Sequence, residues 1–211
     1  YYVRAFATYA GDTAYSEPVS FITPNTNGVV DLSVDETANS YIVLPTYCVY
    51  SFKAVKGNSN ESVGEISSAE ILWETYNTSE TVIQNSVIAS VGIDGENVKF
   101  TMPENARPGN ALIAVKDASG TILWSWHIWV ADFDPETTQQ KYISGAIMMD
   151  RNLGAISANP VNDWRSIENY EMFGLYYQWG RKDPFPYLGY ANPTNIIQIY
   201  EYGSQTVPIE D

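Results

Sequence analysis

Short runs of alternating apolar and polar residues, each closed by a turn signal, restrict the folds open to this chain more than any other feature. They fall at 40–44, 49–55, 70–74, 82–83, 86–91, 97–102, 111–115 and 121–130. Between them stand Pro45-Thr46, Gly57-Asn58-Ser59-Asn60, Asp94-Gly95, Arg107-Pro108-Gly109 and Asp117-Ala118-Ser119-Gly120. Runs this short cannot bury a helical stripe, whereas period-two alternation presents one face of a strand to a core. About seven strands with turns at such spacing predict an antiparallel β-sandwich. The sandwich is expected over 36–132, and Asp94-Gly95 is a favoured dipeptide for a tight hairpin.

The densest aromatic stretch is Leu123-Trp124-Ser125-Trp126-His127-Ile128-Trp129-Val130. Alternation places Trp124, Trp126, Ile128 and Val130 on one face, which is core-like. Leu123, Ser125, His127 and Trp129 share the other, which suits a half-exposed surface or a contact with the next module. His127 is expected to be a hydrogen-bonded structural histidine, because Ser125 is locked on its own strand and no Gly-x-Ser-x-Gly elbow is present. Cys48, the only cysteine, lies between Tyr47 and Val49-Tyr50 and reads as a small buried hydrophobe.

Outside the sandwich the organisation is looser. Residues 1–23 form two strands around Ala10-Gly11-Asp12-Thr13, a hairpin too small to fold alone, and are expected to be the remnant of a domain whose other strands lie upstream. Residues 24–35 are turn-rich and polar and read as a linker. Residues 133–211 read as an irregular, partial α+β module. A short helix over 166–173 is expected there, with Ile167, Tyr170 and Phe173 toward a core. The fold class expected for the whole is therefore mainly β.

Composition excludes several functions. The 25 acidic residues outnumber the 11 basic ones, giving a net charge of −14. Nucleic acid is not an expected partner, since Arg181-Lys182 is the only adjacent basic pair. One cysteine and one histidine leave no ligand set for a transition metal, and no run approaches the roughly 20 apolar residues of a membrane helix. Asp94-Gly95-Glu96-Asn97 carries oxygen ligands without the spacing of a calcium loop. Asn60-Glu61-Ser62 and Asn77-Thr78-Ser79 match the N-glycosylation pattern. A glycosidase would need two carboxylates across a sugar site; Asp163, Glu168, Glu171 and Asp183 are available, but in so acidic a chain they read as solvated charge. No catalytic residue, cofactor or metal is expected, and the chain is not read as an enzyme.

Aromatic residues remain, with six Trp, 16 Tyr and seven Phe. A flat ring offers apolar contact to the C–H face of a pyranose while polar neighbours bond its hydroxyls. Trp129, Tyr176, Tyr177, Trp179 and Arg181 are the candidate ligand-binding residues. The competing reading is that large aromatics simply build β-cores and module interfaces.

Three stretches are familiar. Tyr1-Tyr2-Val3-Arg4-Ala5-Phe6-Ala7, followed by Gly, Ala-Tyr and Val-Ser-Phe, resembles the end of a fibronectin type III domain, which implies that Tyr2 or its neighbour is the corner tyrosine of such sandwiches. Ala38-Asn39-Ser40-Tyr41-Ile42-Val43, Phe52-Lys53-Ala54-Val55-Lys56-Gly57-Asn58, Gly109-Asn110-Ala111-Leu112-Ile113-Ala114-Val115 and Ile122 through Trp129 look like a recurrent module of Bacteroidetes fimbrillin-like and surface-anchored proteins. Met148-Met149-Asp150-Arg151-Asn152-Leu153-Gly154-Ala155 and Phe173-Gly174-Leu175-Tyr176-Tyr177-Gln178-Trp179-Gly180 resemble the start of the Fibrobacter succinogenes major paralogous domain. That family continues into a Cys-Pro-x-Gly-Trp segment, so a truncated third module is expected. These resemblances imply a non-enzymatic module at the extracellular or outer-membrane surface, for display, adhesion or contact with a glycan or a host or neighbouring surface protein. Two alternatives stand beside it: a pilus-tip or fimbrillin-like subunit assembled by strand exchange, and a fragment of a carbohydrate-active enzyme.

Overall fold

The computed structural model of the chain describes residues 2–3, 6–9, 11–17, 19–20, 28–78, 80–159, 170–186 and 199–201. At the N-terminus β1 (Tyr2–Val3) pairs antiparallel with β4 (Val19–Ser20), Tyr2 opposite Ser20, and β2 (Phe6–Tyr9) forms an antiparallel hairpin with β3 (Asp12–Tyr15), Tyr9 opposite Asp12. Its turn uses Gly11 at φ +92°, a conformation that costs a residue with a Cβ. The corner-tyrosine reading of Tyr2 concerns a side chain outside the described residues.

The sandwich is built from β5 (Val29–Asp31), β6 (Ser40–Val43), β7 (Val49–Lys53), β8 (Ser68–Thr75), β9 (Ser90–Asp94), β10 (Asn97–Thr101), β11 (Gly109–Lys116) and β12 (Ile122–Val130). After it come α1 (Pro135–Thr138), β13 (Gln140–Lys141), β14 (Ile147–Met148), α2 (Tyr170–Phe173), β15 (Leu175–Tyr176), β16 (Phe185–Pro186) and β17 (Ile199–Glu201). One sheet has the order β5-β7-β10-β9 and the other β17-β8-β11-β12-β6. The interior ladders are antiparallel, as alternation and tight turns dictate. Two edge strands, β5 on β7 and β6 on β12, are parallel. Strand β5 falls within the stretch expected to be a linker.

The expected core face of β12 is the core face found. Trp124, Trp126, Ile128 and Val130 join Ala111, Ile113 and Val115 from β11 and Tyr50, Phe52, Val98 and Phe100 from the facing sheet. Phe52 is its hub, with ring centroids 4.9 Å from Tyr41, 5.1 Å from Trp126 and 6.3 Å from Phe100. Each such pair stabilises by about 0.5–1.5 kcal/mol beyond the area it buries. Cys48 is buried in the same core.

The apolar residues at 82–83 and 86–89 do not form strands. Val82, Val87 and Ile88 are buried in the core, but the backbone N–H groups of Asn85, Val87 and Ile88 bond the carboxylate of Glu74 at 2.8, 2.9 and 2.8 Å. Glu74, fully buried, does for this loop what a neighbouring strand would have done.

The other face of the five-stranded sheet decides the rest. A bulge pairs Leu112 with Trp73 and Ile113 with Ile71, leaving Leu72 as the extra residue. Leu72 and Trp73 therefore both point outward and join Leu112, Ala114 and Leu175 in a second apolar cluster. Trp129, Ala131 and Phe133 form a third, with Ile42 and Met149 against it. Of the two readings of this face, a half-exposed surface or a contact with the next module, the second agrees with the packing: the face is buried, and parts of 133–186 bury it.

Candidate functional site

Strand β12 lies between β11 and β6, so an outward side chain on it has a neighbour on either side. At the centre stands His127, 2 % exposed. Its Nδ1 is 2.8 Å from the Oγ of Ser40 on β6, and its Nε2 is 2.8 Å from the Oδ1 of Asn110 on β11. Ser40 is directly opposite His127 in the parallel register. The expectation of a hydrogen-bonded histidine agrees with this geometry, and burial pushes its pKa from the ordinary 6.5 down to about 3.

Asn110 is fully buried and fixed in turn. Its Nδ2 donates to the carbonyl of Gly154 at 2.9 Å and to Oδ1 of Asn77 at 3.2 Å. A backbone carbonyl can only accept, so the amide nitrogen must face Gly154 and the amide oxygen must face His127. Asn77 donates to the same Gly154 carbonyl at 3.0 Å. Because Asn77 is fully buried and its amide is committed, its side chain is not presented as a glycosylation acceptor. Gly154 holds φ +80°, and a Cβ there would stand 2.5 Å from Cγ of Leu175. Only glycine brings this carbonyl so close to the sheet.

Two residues before His127 on the same face, Ser125 donates to Oδ2 of Asp183 at 2.6 Å. Lys182 donates to Oδ1 of Asp183 at 2.6 Å and to the carbonyl and hydroxyl oxygens of Ser125 at 2.9 and 2.6 Å. Both charged side chains are nearly buried, at 6 % and 2 % exposure. Removing either partner from such a pair costs about 3–5 kcal/mol, since the remaining charge stays buried. The cluster seats one end of a hairpin on the sheet.

That hairpin carries the exposed aromatics. Strands β15 and β16 pair Leu175 with Pro186 and Tyr176 with Phe185. Leu175 anchors one flank in the outer apolar cluster, and Asp183 anchors the other. Between them Trp179 is 102 % exposed, Tyr176 51 % and Tyr177 44 %. Desolvation pushes the phenol of Tyr177 up to about 12. The guanidinium of Arg181 lies 4.3 Å from the centre of the Phe185 ring, and its Nε has no partner among the described residues.

Of the five candidate residues, four therefore lie on one anchored hairpin. Trp129 does not join them: it is 2 % exposed and packs edge-on against Phe133 at 5.2 Å, because the chain after the sandwich folds over its face. Among the carboxylates weighed for sugar cleavage, Asp163 and Glu168 lie outside the described residues, and Asp183 is committed to Ser125 and Lys182. Of the helix expected over 166–173, the described part is α2, with Tyr170 buried. Ser40, Asn77, Asn110 and Lys182 were not singled out as site residues. A sequence signal did exist for Asn110, as a polar residue on the same outward face of β11 as Leu112 and Ala114.

No protein-family profile, curated protein or solved structure matches the chain.

Proposed function

We propose that this chain is a contact module of a cell-surface or secreted protein, in which the β-sandwich holds the 175–186 hairpin for display to a glycan. The observation that carries this reading is a fully exposed tryptophan on a hairpin whose two flanks are buried. An indole held in water has no folding reason to be there, and a flat ring on a fixed support is suited to the C–H face of a sugar. Tyr176 and Tyr177 extend the apolar surface. Arg181, flattened on Phe185, adds hydrogen-bond donors for hydroxyl or carboxylate groups of the ligand. Extracellular or outer-membrane placement follows from the three resemblances read in the sequence, as does the non-enzymatic role.

The test is a glycan array probed with the wild-type chain and with Trp179→Ala. Because Trp179 makes no buried contact, the variant should keep the wild-type circular dichroism and melting curve. Binding to a defined set of glycans that falls at least about tenfold in the variant, the equivalent of losing one stacking contact of about 1.4 kcal/mol, is the expected result. Wild-type chain that binds no glycan, or a variant that binds the same set equally well, refutes the reading.

A further inference from the structure

A buried neutral imidazole needs an acceptor for its one N–H and a donor for its bare nitrogen, and two side-chain amides in the interior would supply both. Here the partners differ. The Nε2 side is deep and its acceptor is fixed by an acceptor-only carbonyl one bond further on. That places the ring proton on Nε2 and leaves the Nδ1 lone pair to receive a proton. The group at Nδ1 is the hydroxyl of Ser40, at 2.8 Å, and Ser40 is exposed. A hydroxyl at the solvent boundary, an unprotonated ring nitrogen behind it and an amide that holds the ring tautomer are the three parts of an activated nucleophile.

We propose that Ser40 is an acylatable nucleophile, with His127 as its general base and Asn110 as the residue that positions the base, and that its co-reactant is a carboxylic ester. In the step, the Oγ of Ser40 bonds to the ester carbonyl carbon as its proton passes to Nδ1 of His127. The bond from that carbon to the alcohol oxygen breaks, and the leaving alkoxide takes the proton back from Nδ1. The products are acyl-Ser40 and a free alcohol, with the imidazole neutral again. Low basicity of the buried ring places the contribution of the base at the lower end of the usual range, about 10²-fold. This assignment is independent of the aromatic hairpin and uses none of its residues.

The probe is p-nitrophenyl acetate, with acetylation mapped by peptide mass spectrometry. Ser62 and Ser144 are exposed and serve as controls within the same chain. Ser40 should be acetylated about 10²-fold faster than these, the difference should vanish in urea, and Ser40→Ala should abolish the fast phase. His127→Gln should bring Ser40 down to the control rate. That variant replaces a buried ring and can fail to fold, so two measurements on the wild-type chain stand beside it. Acetylation of Ser40 should show a normal solvent deuterium isotope effect, and ¹⁵N NMR of the single imidazole should show Nε2 protonated and Nδ1 bare. Asn110→Ala should mix the two tautomers, which a merely structural role for Asn110 would not predict. Equal acetylation of all exposed serines, an unchanged rate in folded His127→Gln, no isotope effect, or a proton on Nδ1 overturns the proposal.

Discussion

Lowering the pH from 7.5 to 5 should destabilise this protein by about 2 kcal/mol, nearly all of it through one residue. His127 is the only histidine, and its pKa falls from 6.5 in the unfolded chain to about 3 in the fold, with burial as the cause. Between those values the unfolded state holds a proton that the native state refuses. Stability therefore rises with pH across that interval and is lost as the pH falls. Above 6.5 both states are neutral and the residue contributes no slope. Below it the loss grows by about 1.4 kcal/mol per pH unit, which reaches about 2 kcal/mol at pH 5. Asp31, Asp117 and Asp150, whose pKa values are lowered by hydrogen bonds from Ser33, from Ser119 and from Arg151 respectively, add their own losses only at lower pH. The assay is urea unfolding at pH 7.5, 6.5, 5.8 and 5.0, fitted with a common m-value. In His127→Gln the absolute stability falls because a buried ring is lost, but the slope over the same window should be flat. A wild-type curve that is flat, or an equal slope in wild type and variant, refutes a neutral, solvent-shielded imidazole.

Other substitutions separate the interactions that hold the sandwich. Glu74→Gln leaves one amide oxygen where two carboxylate oxygens accepted three backbone N–H bonds, and should cost about 3 kcal/mol in urea unfolding; a loss below about 1 kcal/mol would mean the loop amides find water instead. Gly154→Ala carries the cost of a positive φ, about 1–2 kcal/mol, plus the clash with Leu175, whereas Gly120→Ala at φ +85° meets nothing within 4 Å and carries only the first cost. Equal losses for the two would show that the close approach at Gly154 is not tight. Lys182→Met leaves the Asp183 carboxylate buried without its cation and should cost about 3–5 kcal/mol, while Lys182→Met with Asp183→Leu should cost less than Lys182→Met alone. A double variant that loses as much as the two single variants together would argue against coupling between the charges.

What could be read in advance divides by the range of the interaction. The faces of β12 were legible because alternation is a property of adjacent residues, and Trp124, Trp126, Ile128 and Val130 sit in the core for that reason alone. Strand β5 was not, since Val29-Val30-Asp31 is three exposed residues whose pairing with β7 is parallel and begins at Val49. Val87 and Ile88 read as strand, and they are buried, but their amides answer to a carboxylate at position 74. The outward face of β12 was recognisable as mixed, whereas its partners were not: Ser40 is 87 residues from His127 and Asp183 is 58 from Ser125. Trp129 reads as a candidate surface ring for the same reason, because the residues packed with it, Ile42 from the neighbouring strand and Phe133 and Met149 from the chain after the sandwich, belong to no shared periodicity.

The polar residues on the outward face also explain why the chain after the sandwich sits where it does. Its apolar contribution to the cluster around Leu72, Trp73, Leu112 and Ala114 is a single buried residue, Leu175, and one side chain of that size supplies roughly 1.5–3 kcal/mol. Apolar contact of this kind has no preferred register and would tolerate a shift of a residue or more. Hydrogen bonds to Asn77 and Asn110 do not, because each needs the Gly154 carbonyl within about 3 Å. Ser125, Lys182 and Asp183 impose a second fixed point, and two fixed points determine an orientation. If the segment slid, Asn77, Asn110 and Ser125 would be left buried and unpaired, at about 1–3 kcal/mol each. The penalty for the wrong placement thus exceeds what Leu175 alone gains in the right one. A hairpin held in this way keeps Trp179 in water by geometry, and the same contacts keep Asn110 aimed at His127.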